Sequence, residues 1–200
     1  MSSHSIHKHP LVERTLVFAK HDAVQRGLIG EIITRFENRG FKLLGIKMIV
    51  PTDKELGMHY PDDINWKRNC GERQKRVSAE KGIPFNEDVI EFGTKVRKWN
   101  MDALRGTPLV VMVWEGFHAA EIGRKIVGHT DPSLAVPGTV RGDYTVESFR
   151  IADVEQRVVR NVVHASGSKE EAENEIAIWF KPDELVSYDK QVWVQMHTFD

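Results

Sequence analysis

The amino-acid sequence predicts an α+β fold in which helices cover one face of an antiparallel β-sheet. Two observations predict it: apolar runs of strand length recur along the 200 residues, and segments whose apolar residues return every three or four positions lie between them. The predicted order is strand, helix, strand, a helical excursion, strand, helix, strand and a closing helix. Two such halves side by side form the ferredoxin-like split βαβ arrangement.

The first half reads as strand, helix and strand. The apolar run 15–19 has the length of a buried strand. The next segment places apolar residues on one helical face, at Ile29, Ile32, Ile33 and Phe36, and Gly40 supplies a stop. The segment 41–50 then predicts a strand with one apolar face, formed by Leu44, Ile46, Met48 and Val50.

The middle of the chain is predominantly helical in pattern. Thr52 and Glu55 have the spacing of a capping box, which predicts a helix start. Residues 61–82 are polar and basic, as expected of a surface excursion. After Pro84, apolar side chains step by four and three, which predicts an amphipathic helix, at Phe85, Val89, Phe92, Val96 and Trp99.

The second half repeats the strand, helix and strand order. Residues 109–114 form an apolar strand, and Gly128 ends a helix whose apolar stripe is Ala119, Ile122, Ile126 and Val127. A loop with proline and glycine covers 129–142, and 161–164 has strand character. Ser168 and Glu171 again have capping-box spacing, ahead of a closing helix.

Composition narrows the classes of function. The 28 basic and 29 acidic residues nearly cancel, so the overall charge does not indicate a nucleic-acid or membrane partner, and no apolar run approaches the length of a membrane span. Cys70 is the only cysteine, which suits a reducing, cytoplasmic location. The early histidines lack Cys or carboxylate partners, so a disordered tail is favoured over a metal site at His4, His7 and His9.

His164 is the first candidate for chemistry. It ends an apolar strand and is followed by small residues and then a predicted helix start. A neutral imidazole can attack phosphorus, and the N–H groups of a helix start favour phosphate. Phosphoryl transfer also needs cations, and the candidates are Lys20, Arg124 and Arg141. The spacing of these residues does not by itself bring them together.

Five motifs in chain order resemble the nucleoside diphosphate kinase family. They are residues 13–27 (with Lys20-His21-Asp22), Met112-Val113-Trp114-Glu115-Gly116, residues 130–143 (with Val140-Arg141-Gly142-Asp143), Asn161-Val162-Val163-His164-Ala165-Ser166, and Ile178-Trp179-Phe180-Lys181-Pro182. The resemblance implies a kinase that moves the terminal phosphoryl group of a nucleoside triphosphate to a nucleoside diphosphate. It implies a ping-pong mechanism through a phosphohistidine on His164.

The resemblance also implies roles for single residues. Glu175 would orient the His164 ring, and Tyr60 would stand close to it. The nucleotide would be held by a larger set of residues: Lys20 and Asn161 at the sugar and phosphates, Arg124, Thr130 and Arg141 at the phosphates, Ser166 in support, and Phe85 against the base, with Val158 a weaker candidate for the opposite wall. Mg²⁺ is expected on the nucleotide's own phosphate oxygens, without dedicated protein ligands.

Three residues depart from the family pattern. His21 stands where the family usually has proline, and Ala165 and Gly167 replace the usual glycine and aspartate after the histidine. None of these changes removes a proposed catalytic group. His21 is expected to loosen the turn that presents Lys20, because proline would have fixed φ there.

The organisation predicted is a tail at 1–12 and one kinase-like domain at 13–200. Three segments look inserted relative to the compact family pattern: 61–82, 95–105 and 147–157. They predict either harmless surface loops or a lid, an altered base pocket or a changed subunit contact. Family members are commonly hexamers or tetramers, so a homo-oligomer is expected.

Two other functions stay open at this point. One is a family member that binds nucleotide but turns it over poorly, as a sensor or scaffold. The other is a nucleic-acid-binding module, suggested only by a basic cluster at Lys67, Arg68, Arg73, Lys75 and Arg76. Acidic Glu72 and Glu80 lie among or near these residues, so a solvated helix face is favoured and nucleic acid is not the expected partner.

Overall fold

The structure is a computed structural model that describes residues 9–80 and 82–190. The described chain divides into two compact units. The first contains residues 9–49, 108–148 and 160–190, and the second contains residues 50–107 and 149–159.

The secondary structure alternates as the sequence predicts. The strands are β1 (Val12–Ala19), β2 (Lys42–Ile49), β3 (Leu109–Phe117) and β4 (Val163–Ala165). The helices are α1 (His21–Gln25), α2 (Ile29–Asn38), α3 (Asp53–His59), α4 (Ile64–Glu80), α5 (Val89–Leu104), α6 (Ala119–Val127), α7 (Val140–Tyr144), α8 (Phe149–Val154) and α9 (Lys169–Trp179), with short 3₁₀ turns at Pro132–Leu134 and Pro182–Glu184.

The first unit is built on an antiparallel sheet of strand order β2-β3-β1-β4. The two long central strands are β1 and β3, which is why their apolar runs are almost wholly buried. This arrangement confirms the predicted ferredoxin-like fold with an antiparallel sheet covered by helices.

The prediction that the helices cover one face is wrong, because both faces are covered. On one face Trp114 of β3 stacks on Phe36 of α2 with ring centroids 5.3 Å apart. On that face too, Gly123 of α6 packs near Thr15, where an added Cβ would lie at an ordinary contact distance of 3.5 Å from the threonine methyl group. On the other face Phe18 of β1 meets Trp179 of α9 at 6.2 Å. Burial on both sides requires apolar residues on both faces of β1.

A β-bulge corrects the predicted face of β2. The register shifts between Leu43 and Gly45, so Ile46 lies opposite Met112 while Leu43 lies opposite Trp114. Residues opposite each other share a face of the sheet. Ile46 therefore shares a face with Leu43 and not with Leu44, since one extra residue reverses the alternation.

Three smaller predictions also change. The strand at 161–164 is displaced to Val163–Ala165, and the loop at 129–142 contains a 3₁₀ turn and the start of α7. At α9 the Ser168 side chain caps the helix, but the Glu171 carboxylate accepts from the N–H of Gly167 and not from that of Ser168. Only half of the predicted capping box is formed there.

The second unit is helical. The helices α4 and α5 cross where neither carries a side chain: a Cβ added to Gly71 would lie 2.1 Å from the Val89 carbonyl oxygen, and one added to Gly93 would lie 2.2 Å from that of Lys67. Backbones can approach this closely only at glycine. The capping box of Thr52 and Glu55 is present at the start of α3, as predicted.

Two segments predicted as insertions meet inside this unit. Arg73 of α4 lies over the ring of Phe149 in α8 at 5.2 Å, and Gln74 donates to Asp153 at 3.0 Å. Segment 147–157 is partly helical, as its spacing suggests, but Ile151 and Val154 are 42% and 79% exposed. A helix of six residues packs through few positions, and here Ala152 is the buried one.

The N-terminal prediction is only partly covered by the structure. His4 and His7 lie outside the described residues. His9 is described, and its ring packs edge-on against Phe117 with centroids 5.0 Å apart. Among residues 9–80 and 82–190, no helix combines the length and apolar character required to cross a membrane.

Candidate functional site

His164 is held by the edge of the sheet and by an aromatic ring. It lies in β4, opposite Phe18 of β1 in the antiparallel register. The Phe18 ring stacks on the imidazole with centroids 4.6 Å apart and planes 17° apart. The side chain is 19% exposed, so the ring is oriented by packing and still reaches solvent.

Glu175 of α9 orients the ring through one nitrogen. His164 Nε2 lies 2.9 and 3.0 Å from the two carboxylate oxygens. Ser166 donates its hydroxyl to the same carboxylate at 2.5 Å and accepts from the Leu16 N–H at 3.3 Å. A carboxylate that accepts from Nε2 places the imidazole proton there and leaves the lone pair on Nδ1.

A chain of hydrogen bonds joins the predicted binding residues. Lys20 Nζ donates to Asn161 Oδ1 at 2.7 Å, and Asn161 Nδ2 donates to the Thr130 carbonyl at 2.9 Å. Arg124 donates to the Thr130 hydroxyl at 3.1 Å. It also reaches the Ala165 carbonyl, beside His164, at 3.5 Å. The structure thus brings together residues that lie 141 positions apart in the chain.

Arg141 is buried and holds backbone carbonyls. The residue is 2% exposed. Its guanidinium donates to the carbonyls of Gly128 and Val163 at 2.7 Å and to that of Asn161 at 3.3 Å. The contacts to Asn161 and Val163 lie on either side of Val162, directly before His164. Arg141 therefore fixes the backbone that carries the histidine.

The loop before Arg141 is closely packed, and two glycines allow this packing. A Cβ on Gly142 would lie 2.1 Å from the Val136 carbonyl oxygen. Gly128, whose φ is +84°, would bring a Cβ to 2.4 Å from the Thr139 hydroxyl. Thr139 itself caps α7 by accepting from the N–H of Gly142 at 3.1 Å. Larger residues at either glycine would displace this loop.

Burial and neighbouring cations at the site lower the pKa of Lys20 and of Arg141. The pKa of Lys20 is lowered to about 8, first by burial and then by the charge of Arg141, while Asp22 opposes the shift. Burial, and then the charge of Arg124, lower the pKa of Arg141 below its usual range. Guanidinium remains cationic at neutral pH even so. Cations that lower one another's pKa in a partly buried site stabilise a bound anion.

The same surroundings keep His164 neutral. Burial is the largest cause of its lowered pKa, and the charge of Lys20 is the next. Glu171 opposes the shift, whereas Arg141 and Arg124 add to it. The protonated ring is disfavoured because it would be a further cation among cations. At neutral pH the ring therefore carries the lone pair that a nucleophile needs.

Three predicted site residues belong to the second unit: Tyr60, Phe85 and Val158. Tyr60 ends α3, and its carbonyl accepts from Arg97 Nε at 2.8 Å. Phe85 precedes α5 and packs edge-on against Phe92 with centroids 5.6 Å apart. The roles assigned to Tyr60 and Phe85 stay predictions.

The departures from the family pattern leave these contacts in place. His21 is the first residue of α1, which forms without a proline at that position. Ala165 is buried in β4, and its carbonyl is the one that Arg124 reaches. The N–H of Gly167 donates to the Glu171 carboxylate at 2.8 Å.

Sequence reasoning missed two residues that contact the site. Phe18 stacks on His164, but in the sequence it is one of several apolar residues in a strand. Asp22 accepts from the Val162 N–H at 3.0 Å, and only its position two residues after Lys20 could have indicated it.

Comparisons with known proteins identify a family. The family model described as "Nucleoside diphosphate kinase" matches residues 13–69 and 79–185. A nucleoside diphosphate kinase of Pyrobaculum aerophilum is 43% identical over 180 residues, covering 88% of this chain and 98% of the relative. One of Pyrococcus furiosus is 46% identical over 179 residues, covering 90% and 89%.

Solved structures give the same result. The crystal structure of an NDP kinase from Pyrobaculum aerophilum superimposes with a TM-score of 0.83 at 41% identity, covering 88% of this chain and all of that one. A transition-state mimic of the Borrelia burgdorferi nucleoside diphosphate kinase, with bound vanadate and ADP, gives 0.77 at 29% identity, with coverage of 94% and 98%. The chain therefore belongs to the nucleoside diphosphate kinase family.

Proposed function

We propose that the protein moves the terminal phosphoryl group of a nucleoside triphosphate to a nucleoside diphosphate through a phosphohistidine on His164. The observation that carries this proposal is a neutral, oriented histidine among three cations, Lys20, Arg124 and Arg141. Such an arrangement supplies a nucleophile and a receptor for a polyphosphate in one place.

In the first half-reaction Nδ1 of His164 attacks the terminal phosphorus. A bond forms between Nδ1 and phosphorus, and the bond from phosphorus to the bridging oxygen breaks, so that the nucleoside diphosphate leaves with that electron pair. Glu175 accepts from Nε2–H and stabilises the positive charge that develops on the ring. A second nucleoside diphosphate then takes the phosphoryl group by the reverse steps.

The cations act on the phosphate oxygens. Lys20 and Arg124 present donors at the site, and Asn161 holds the Lys20 ammonium in place. Carboxylates nearby are already engaged, since Glu175 contacts His164 and Asp22 accepts from the backbone. This donor set suits a Mg²⁺ ion carried on the nucleotide's phosphates, where it would neutralise charge as the phosphoryl group is transferred.

The base site is proposed to be formed by Phe85 and Val158. Phe85 would stack on the base with little regard to its identity, because every base has a π-face, and Val158 would line the other wall. Tyr60 would stand near His164. The family model spans residues of both units, 13–69 and 79–185, which supports one kinase-like domain at 13–200.

Further features of the proposal rest on the family. The Borrelia burgdorferi relative binds ADP and vanadate, which supports nucleotides as the partners in preference to nucleic acid. We also propose a homo-oligomer, hexamer or tetramer, and a cytoplasmic location that suits the single, buried Cys70. A sensor that binds nucleotide without turnover is not favoured, because the nucleophile, its orienting carboxylate and the cations are all present.

The function is tested by following a labelled phosphoryl group. Purified protein is mixed with Mg²⁺ and ATP labelled on its terminal phosphate, isolated, and chased with unlabelled GDP. We expect an acid-labile, alkali-stable label that maps to the peptide containing His164 and leaves as GTP. Protein that binds ATP but takes no label would contradict the proposal and support the sensor.

The acid limb of the rate profile is a further prediction. A free imidazole titrates near about 6.5, so the residue type alone predicts slowing just below that value. Because the site lowers the pKa of His164, the neutral ring persists as pH falls through 6.5. We expect the single-turnover labelling rate to change less than about twofold between pH 7 and 5.5, where a free imidazole would lose about tenfold. A midpoint near 6.5 in folded protein would contradict this.

The alkaline limb reports on Lys20. The folded pKa of about 8 means that the ammonium charge is present below that pH and is lost above it. We expect kcat/KM to fall by up to about tenfold per pH unit above 8, because free enzyme then binds phosphate more weakly. The Lys20→Arg protein should lose this limb whatever its activity at neutral pH, since guanidinium does not titrate there. An identical limb in both proteins would assign it to another group.

A further inference from the structure

The backbone directly before His164 is in a rare conformation. The N–H of Val163 donates to the Asn161 carbonyl at 2.7 Å, which closes a three-residue turn around Val162. Val162 has a φ of +58°. A turn of this kind with positive φ at its centre is uncommon and strained, and a β-branched side chain makes it more so.

The turn lies where two proposed site residues meet. Asn161 precedes it and binds Lys20, and His164 follows two residues later. The side chain of Val162 is fully buried and belongs to the core cluster that includes Val17 and Ala23. The core thus holds the side chain, and a change in the turn would rotate Asn161 and His164 relative to each other.

Both polar backbone groups of Val162 are tied to the segment that begins α1. The Val162 N–H donates to Asp22 Oδ2 at 3.0 Å. The Val162 carbonyl accepts from the backbone N–H of Lys20 at 2.8 Å. The flanking carbonyls of Asn161 and Val163 accept from Arg141, which already has a proposed role. The Val162 N–H is held by the side chain of Asp22, which has none so far.

We propose that Asp22 is a positioning residue for phosphoryl transfer: its carboxylate holds the strained turn at Val162 and so sets the relative orientation of Asn161 and His164. This inference rests on the proposed function. Asp22 does not touch the reacting atoms and acts through the backbone.

The two carboxylate oxygens of Asp22 have different tasks. Oδ1 accepts from the N–H of Ala23 at 3.1 Å, a local contact at the start of α1. Oδ2 reaches Val162, which is 140 residues away in the chain. A side chain that served only α1 would need the first contact alone. The second contact links the Lys20 segment to the His164 segment, and so fixes the two ends of the phosphate site relative to each other.

The test compares Asp22→Ala and Asp22→Asn in two backgrounds, the natural chain and Val162→Gly. Glycine adopts positive φ without strain, so a turn with glycine should not need the carboxylate. Glu121→Ala is the matched control, because Glu121 is also an acidic residue in the first turn of a helix and pairs with exposed Lys125. The measurement is the single-turnover rate and the amplitude of label transfer to His164.

We expect Asp22→Ala to lower the rate constant ten- to a hundredfold while the amplitude stays near one label per chain. A misplaced nucleophile reacts slowly, whereas unfolding would lower the amplitude. Asp22→Asn keeps one acceptor oxygen and should recover part of the rate. In the Val162→Gly background the loss from Asp22→Ala should shrink to less than about threefold.

An unchanged rate in Asp22→Ala would overturn the proposal. An equal loss in both backgrounds would also overturn it, because Asp22 would then act without the turn, for example through its charge on Lys20. Hydrogen exchange of the Val162 amide supplies a readout that does not depend on activity. We expect exchange to be at least tenfold faster in Asp22→Ala. Unchanged protection would show that Asp22 does not hold the turn at Val162. If the natural protein took no label, the proposed phosphohistidine function would be wrong. The exchange measurement would still test whether Asp22 holds the turn at Val162.

Discussion

The His164→Ala protein is expected to fold, to bind nucleotide and to lose phosphoryl transfer by at least about 10⁴-fold. The loss follows because the substitution removes the nitrogen that forms the covalent intermediate. A water molecule in the same site is a much poorer nucleophile. Folding should survive because the ring is 19% exposed and β4 keeps its backbone pairing with β1. Steady-state transfer from ATP to GDP and equilibrium binding of ADP measure the two expectations.

Glu175→Gln is the matched variant for that experiment. It retains the nucleophile and most of the packing, but it removes the negative charge that faces Nε2. We therefore expect a partial loss of about ten- to a hundredfold, with labelling still detectable. Wild-type turnover in His164→Ala would show that another residue is the nucleophile.

The Arg141→Ala protein is expected to lose both stability and activity. Arg141 is 2% exposed, and its guanidinium donates to the carbonyls of Gly128, Val163 and Asn161. Its removal takes one donor away from each of these buried or part-buried carbonyls, at a cost of about 2–5 kcal/mol. That is a large part of the roughly 5–15 kcal/mol that stabilises a typical domain. Urea unfolding gives the stability, and kcat/KM for ATP gives the activity.

Two variants separate the contributions of Arg141. Arg39→Ala, at an exposed position after α2, should change stability by less than about 0.5 kcal/mol. Arg141→Lys keeps a positive charge, but a single ammonium cannot reproduce a planar fork of donors. It should therefore recover part of the phosphate affinity and little of the stability. Equal stability of Arg141→Ala and Arg39→Ala would contradict the role assigned to the buried guanidinium.

Local patterns predicted the elements because each depends on neighbours in the chain. Apolar spacing predicted α2 and α6, and the pair Thr52 and Glu55 predicted the start of α3. The face of β2 was predicted wrongly at Leu44, because the bulge between Leu43 and Gly45 depends on what packs there. A Cβ at Gly45 would lie 2.9 Å from Leu185, a contact between residues far apart in sequence.

The sequence by itself determined the family and the order of strands and helices, and it predicted the histidine and its cations, since motifs and periodicity are local properties. Only the tertiary structure decided the protonation of these groups and their positions relative to one another. Burial and mutual repulsion keep His164 neutral and lower the pKa of Lys20. The turn at Val162 and the contact of Asp22 with it bring together segments 140 positions apart. Interactions between charges, burial and backbone strain depend on distances in space, and these distances cannot be read from spacing along the chain.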